Sequence, residues 1–162
     1  MPRRGRFAGC RFRRDRGRLR HLSAGRGRHL DADGVCGDID CNSADAGAFA
    51  PPTDVTDVQA TQIAGGHRFT WTDQSSTAGT GTTYDVYSGL LSDVNSVGDF
   101  SQGTCAAENA GVPVFDHLGP DPGVGETMYF LIRAQNGCPG GTSSFGNALR
   151  DTSAGASLGA CM

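Results

Sequence analysis

The sequence predicts an all-β sandwich over residues 53–162, and three features of the chain predict it. Short runs alternate apolar and polar side chains, as strands with one buried face do. Gly, Ser, Asn and Pro interrupt those runs at intervals that suit a sandwich. No run of helical period stands out, so helix is expected as a minor component.

Taken in order, the first strand is expected at 55–61, weakly patterned, and Ala64-Gly65-Gly66 turns it into a second at 67–72. On that second strand Phe69 and Trp71 share a face. A third strand, 82–88, sets Tyr84 and Val86 on one face and Asp85 and Tyr87 on the other. The run 90–100 is less regular, 103–107 reads as a short strand, and 112–117 as another with Pro113 at its edge. The strongest run is 127–135. There Met128, Phe130, Ile132 and Ala134 alternate with Tyr129, Leu131 and Arg133, and two largely apolar faces mark a central strand. A last strand is expected at 144–150. Trp71, Phe69, Tyr84 and Phe130 are the expected core, whereas Tyr87 and Tyr129 are expected at the surface. About 110 residues suffice to bury roughly two-thirds of the extended chain's surface and fold unaided.

Charge divides the chain. Residues 1–30 hold eleven arginines against the single acidic residue Asp15, a net of +10. From Asp31 onward three arginines, Arg68, Arg133 and Arg150, face 16 acidic residues, a net of −13. Such a body repels nucleic acid, whose binding requires Lys and Arg at phosphates. The leader lacks Lys altogether and has no helical period, so it reads as a disordered or spurious Arg-rich stretch rather than a working basic arm. It also lacks the apolar run of about 7–15 residues that a secretory signal needs. No stretch approaches the roughly 18 apolar residues of a membrane span.

Cysteine usage nevertheless points to an oxidising compartment. Cys10, Cys36, Cys41, Cys105, Cys138 and Cys161 all sit among Gly, Ser or Asp, where a small domain uses crosslinks. A local Cys36–Cys41 pair, or pairing of these two with a neighbouring repeat, and a Cys105–Cys138 link between loops are the expectations, although four cysteines already allow three pairings. Zinc held by Cys36 and Cys41 with His21 or His29 is disfavoured for want of a second cysteine pair at zinc spacing. Residues 31–45 form an acidic loop, and the Ala, Gly and Pro-Pro of 46–52 read as a linker.

Pro51-Pro52, Phe69-Thr-Trp71, Tyr84-Asp-Val-Tyr87 and Ile132-Arg-Ala-Gln-Asn136, in that order, resemble a fibronectin type III domain. The likeness covers about two-thirds of the chain, and it is greatest to the Cys-containing variants that end secreted or surface proteins of bacteria, which often close on a cysteine as Gly159-Ala160-Cys161 does. Met128 departs from the corner tyrosine usual in that family. The acidic loop resembles the calcium loops of dockerin modules and thrombospondin type 3 repeats. In that spacing Asp31 and Asp33 take the third and fifth positions, Gly34 the turn, Val35 supplies a carbonyl and Asp40 takes the twelfth position. His29 stands at the first position, where Asp38 could compensate for the missing carboxylate. Calcium is the implied cofactor.

No Gly-x-Ser-x-Gly, no His-Glu-x-x-His and no phosphate-binding glycine loop is present, and Asp116-His117 is an isolated pair, so no enzyme is expected. The resemblance implies a monomeric, extracellular or cell-surface module, structural or adhesive, belonging to the C-terminal part of a larger protein, with a protein or a glycan as its partner. An accessory carbohydrate-binding module of a secreted hydrolase is the alternative, with Tyr87 or Tyr129 stacking on sugar rings.

Overall fold

A computed structural model describes Val35, residues 40–156 and Cys161 of the 162-residue chain. Among the described residues, six strands form two antiparallel sheets of three. Strands β1 (Gln59–Ile63), β2 (Gly66–Thr70) and β5 (Val114–Leu118) make the first sheet in the order β1-β2-β5. The second, in the order β4-β3-β6, holds β3 (Thr83–Leu90), β4 (Thr104–Ala110) and β6 (Met128–Gln135). The all-β prediction therefore holds. Three short helices, α1 (Ser75–Ala78), α2 (Leu91–Val97) and α3 (Ala148–Ala156), lie in the connections and after the last strand.

The sheets meet through one aromatic core. Trp71, Tyr84, Val86, Ile132 and Ala134 are buried in it, with Phe69, Phe115 and Phe130 packed alongside. Phe69 and Phe130 bring their ring centroids to 4.3 Å across the sheets, and Trp71 meets Tyr84 edge-on at 5.3 Å, a separation aromatic pairs favour. Period-two alternation dictates this face, and the expected core residues are found there.

The opposite face of β3 is not a surface. Tyr87 is fully buried, in a second cluster with Leu131, Phe145 and Cys161, against which Phe100, Cys105 and Tyr129 pack. The expectation that Tyr87 and Tyr129 are surface aromatics is thus corrected. Segments remote in sequence cover this face of the sheet, and period-two reasoning cannot foresee a cover. Asp85 shares the face and is also fully buried. Directly across the sheet, Arg133 donates to its carboxylate from Nε and Nη2 at 3.0 and 2.9 Å. Gln135 and the Asn109 backbone N–H donate to its other oxygen at 3.2 and 3.0 Å. A buried carboxylate needs such partners, because an isolated one is prohibitively costly in an apolar interior.

Two expected elements differ. The irregular run 90–100 contains helix α2, which stops at Gly98, whose φ of +84° is the left-handed conformation glycine adopts freely. The strand expected at 144–150 is replaced by an extended turn and the start of α3. Asn147 accepts the Arg150 N–H at 2.9 Å, an N-cap bond, and Asp151 accepts the Phe145 N–H at 2.7 Å and the Ser144 hydroxyl at 2.8 Å. Local capping overrides the weak strand pattern here.

Residues 41–52, expected as loop and linker, pack on the body. Phe49 and Ala50 both donate to the Ala78 carbonyl, Gly81 donates to Gly47, and Ala48 is fully buried. At Gly79, with φ +125°, a side chain would collide with the Gly47 carbonyl. Asn136 holds the join from the other side, donating from its amide to Ala50 and Ala78 at 2.8 and 3.0 Å.

Candidate functional site

Strands β2 and β5 pair so that His67 stands directly opposite His117. Two residues further along each strand on the same face come Phe69 and Phe115, both in the inter-sheet core. Both imidazoles are therefore at the end of the core-facing side, where the aromatic packing gives way to a cleft of about 240 Å³. Phe130 and Met128 of β6 and Pro120 and Pro122 of the β5–β6 loop contribute apolar lining, while Asp121 and Glu126 bring carboxylates.

Each polar group has a distinct setting. His67 Nε2 lies 2.8 Å from Asp121 Oδ1, a pair that ties the β5–β6 loop to β2. The His117 ring meets Phe130 edge-on at 5.3 Å, and its Nε2 lies 3.5 Å from the point a Cβ on Gly119 would occupy. Both Nε2 atoms thus face the 119–121 loop. Glu126 accepts the Ser92 hydroxyl at 2.8 Å, which joins the cleft wall to α2. Asp116 does not orient His117. Alternation places it on the other face, where Arg68 grips it through two bonds of 2.7 Å. Those bonds hold Asp116 below the usual carboxylate range and push Arg68 up.

Few of the calcium-loop residues singled out from sequence fall within the described ones. Asp31, Asp33 and Asp38 of the calcium-type loop, and Cys36, lie outside the described residues. Val35 and Asp40 are described, and Asp40 accepts the Asn42 N–H at 2.9 Å. Among the described residues no three His, Cys, Asp or Glu side chains stand grouped as a metal site.

The crosslinks differ from those expected. Cys138 joins Cys41, and Cys105 joins Cys161, each with a Cα separation of 5.4 Å. A Cys105–Cys138 bond is excluded by this arrangement, as is a Cys36–Cys41 bond. Cys105 lies on β4, opposite Tyr87 on β3, whereas Cys138 lies in the turn after β6, beside the N-terminal segment. That segment brings Cys41 within reach, with Asn42 donating to the Gly137 carbonyl at 2.9 Å.

Sequence reasoning noted His117 only within an isolated Asp116-His117 pair and did not foresee its juxtaposition with His67, because it takes the β2–β5 pairing to set the two side by side. The partial signal was the equal two-residue spacing of His67-x-Phe69 and Phe115-x-His117 in opposite orders, as an antiparallel pair requires. No described helix is long and apolar enough to cross a membrane. Compared with protein-family models, curated proteins and solved structures, the chain matches none.

Proposed function

We propose that this chain is a non-catalytic extracellular module of fibronectin type III-like sandwich fold, structural or adhesive in role, in a larger secreted or cell-surface protein. The observation that carries the reading is the placement of its two crosslinks. Cys41–Cys138 ties the entering segment to the turn after β6, and Cys105–Cys161 ties the far end of the chain to β4. Disulfides persist in oxidising surroundings and are rare in the cytosol. A body clamped at entry and exit resists being peeled from either end, which suits a module under tension. The strand order adds support. Neighbouring β2 and β5 enclose in sequence a pair, β3 and β4, that belongs to the other sheet, a Greek-key arrangement common to such sandwiches.

Calcium belongs to the same proposal. Carboxylates of 31–40 immediately before Cys41 would stiffen the join to whatever precedes the body. Sugar stacking by Tyr87 has no support, since its ring is buried.

The test begins with the chain exported to an oxidising compartment and its nonreduced peptides mapped by mass. Cys41–Cys138 and Cys105–Cys161 are expected. Display on a non-adherent cell, followed by binding assays on immobilised glycans and matrix proteins, then separates an adhesive role from a purely structural one. Reduced thiols in the native protein, or turnover of a hydrolase substrate by the purified chain, overturn the reading. Absence of heat in a millimolar calcium titration removes the calcium part alone.

A further inference from the structure

We propose that the tip of the β5–β6 loop is a processing site, where an endoprotease with a small apolar specificity pocket hydrolyses the Val124–Gly125 bond and leaves a two-chain molecule joined by both disulfides.

Accessibility is the first argument. A protease must draw several residues of backbone out of the fold, so nicking concentrates at exposed tips of small residues with few contacts. The loop is held at both feet: Asp121 lies 2.8 Å from His67, and Glu126 accepts the Ser92 hydroxyl at 2.8 Å. Between those anchors residues 122–125 stand clear of the body. Val124 is fully exposed, and a side chain added at Gly123 or Gly125 would meet nothing within 4 Å. A turn in which the Glu126 N–H donates to the Gly123 carbonyl at 2.9 Å shapes the tip.

Side-chain chemistry selects the bond. Val124, flanked by glycines, offers a small aliphatic group to the small specificity pocket of an elastase-type protease. The other large apolar side chains exposed among the described residues are withheld. Leu118 is paired with Gly66 on β5, Leu91 and Val97 lie in α2, and Leu149 lies in α3. Val112 precedes Pro113, whose ring fixes the backbone and replaces the amide hydrogen, so that bond resists such enzymes. Val58 is held between the bond from the Thr72 N–H to the Thr56 carbonyl and the β1–β2 ladder. The crosslinks supply the third argument. Cys41 and Cys105 precede the loop whereas Cys138 and Cys161 follow it, so each disulfide spans the cut. Strands β5 and β6 belong to different sheets, and cutting between them breaks no ladder. Hydrolysis adds one water, its hydroxyl going to the Val124 carbonyl carbon and its hydrogen to the Gly125 nitrogen. The product is residues 1–124 crosslinked twice to residues 125–162.

The test is digestion of the full oxidised chain with elastase under native conditions, followed on nonreducing and reducing gels with mass spectrometry of the new termini. Within residues 40–156 the first new N-terminus is expected at Gly125, and the two chains should stay joined until reductant is added. Val124→Asp should slow the cut at least about tenfold, because a carboxylate loses its hydration on entering an apolar pocket. Far-UV circular dichroism of that variant and of the nicked molecule should match the intact parent. A first cut elsewhere in 40–156, no cut at all, an undiminished rate in Val124→Asp, or chains that part without reductant each overturn the proposal.

Discussion

The two faces of strand β3 are both buried, yet they are buried by different means. On one, Tyr84 and Val86 meet Trp71 and Phe69 of the facing sheet, so strands cover strands. On the other, Tyr87 and Asp85 are covered by Phe145, Cys161 and Phe100, which come from connections and from the end of the chain. The first core is largely aromatic. The second encloses an ion pair and relies on a crosslink: the Arg133 guanidinium, 5.2 Å from the Phe145 ring centroid, also donates to the Cys161 carbonyl at 3.0 Å. Strand packing buries a face through many mutually supporting contacts, whereas a covering segment needs tethers to stay in place against its own chain entropy.

The largest effect is expected in the inter-sheet core. Trp71→Ala should cost about 3–5 kcal/mol, read by urea denaturation, and should lower hydrogen-exchange protection in both sheets together. A loss confined to one sheet would mean that the sheets are stabilised independently.

Breaking the second layer through its charge is expected to cost nearly as much. Arg133→Met leaves Asp85 buried without its main partner, a loss of about 3–5 kcal/mol. Adding Asp85→Asn should restore part of it, and a double-mutant cycle between the two positions should show strong coupling. Additive effects would mean that Asn109 and Gln135 alone satisfy Asp85.

Removing the tether comes next. Cys105→Ser with Cys161→Ser opens a 56-residue loop and should cost about 2–4 kcal/mol. Exchange protection should fall first on the Tyr87 face while the β2–β5 pairing keeps its own. Simultaneous loss on both faces would show that the two cores form a single cooperative unit.

The smallest effects are electrostatic. Burial, with Tyr87, Asp93 and Asp99 nearby, pushes the Tyr129 hydroxyl up to about 12. An unfolded tyrosine ionises near 10, so the folded state holds its proton where the unfolded chain has lost it. Stability from this group is complete below pH 10 and drains away between about pH 10 and 12. Tyr129→Phe should flatten that alkaline limb in denaturation curves. At the acid end, hydrogen bonds from Ser75 hold Asp73 low, and those from Ser101 hold Asp99 low. Their contribution is present above the ordinary carboxylate range and fades as pH drops through their folded values, a slope that Asp73→Asn should reduce.

Much of the first core was legible from the residues. Alternation in Tyr84-Asp-Val-Tyr87 and along 128–135 located β3 and β6 and their core faces, because a strand's side chains alternate whatever it packs against. Helix α3 was missed, as the capping bonds that Asn147 and Asp151 accept are local and compete with a strand pattern of similar strength. The His67–His117 pairing was not legible either, since the two lie 50 residues apart and only strand register brings them together.

By itself, the sequence determined the strand-rich class, the aromatic inter-sheet core and the opposition of a basic leader to an acidic body. These follow from periodicity and composition, which are local properties of a chain. Tertiary structure alone decided which cysteines pair, that Tyr87 is buried, and that two histidines share a cleft. Each of those depends on contacts between segments distant in sequence, and such contacts are set by how whole faces bury one another rather than by any residue's own preference.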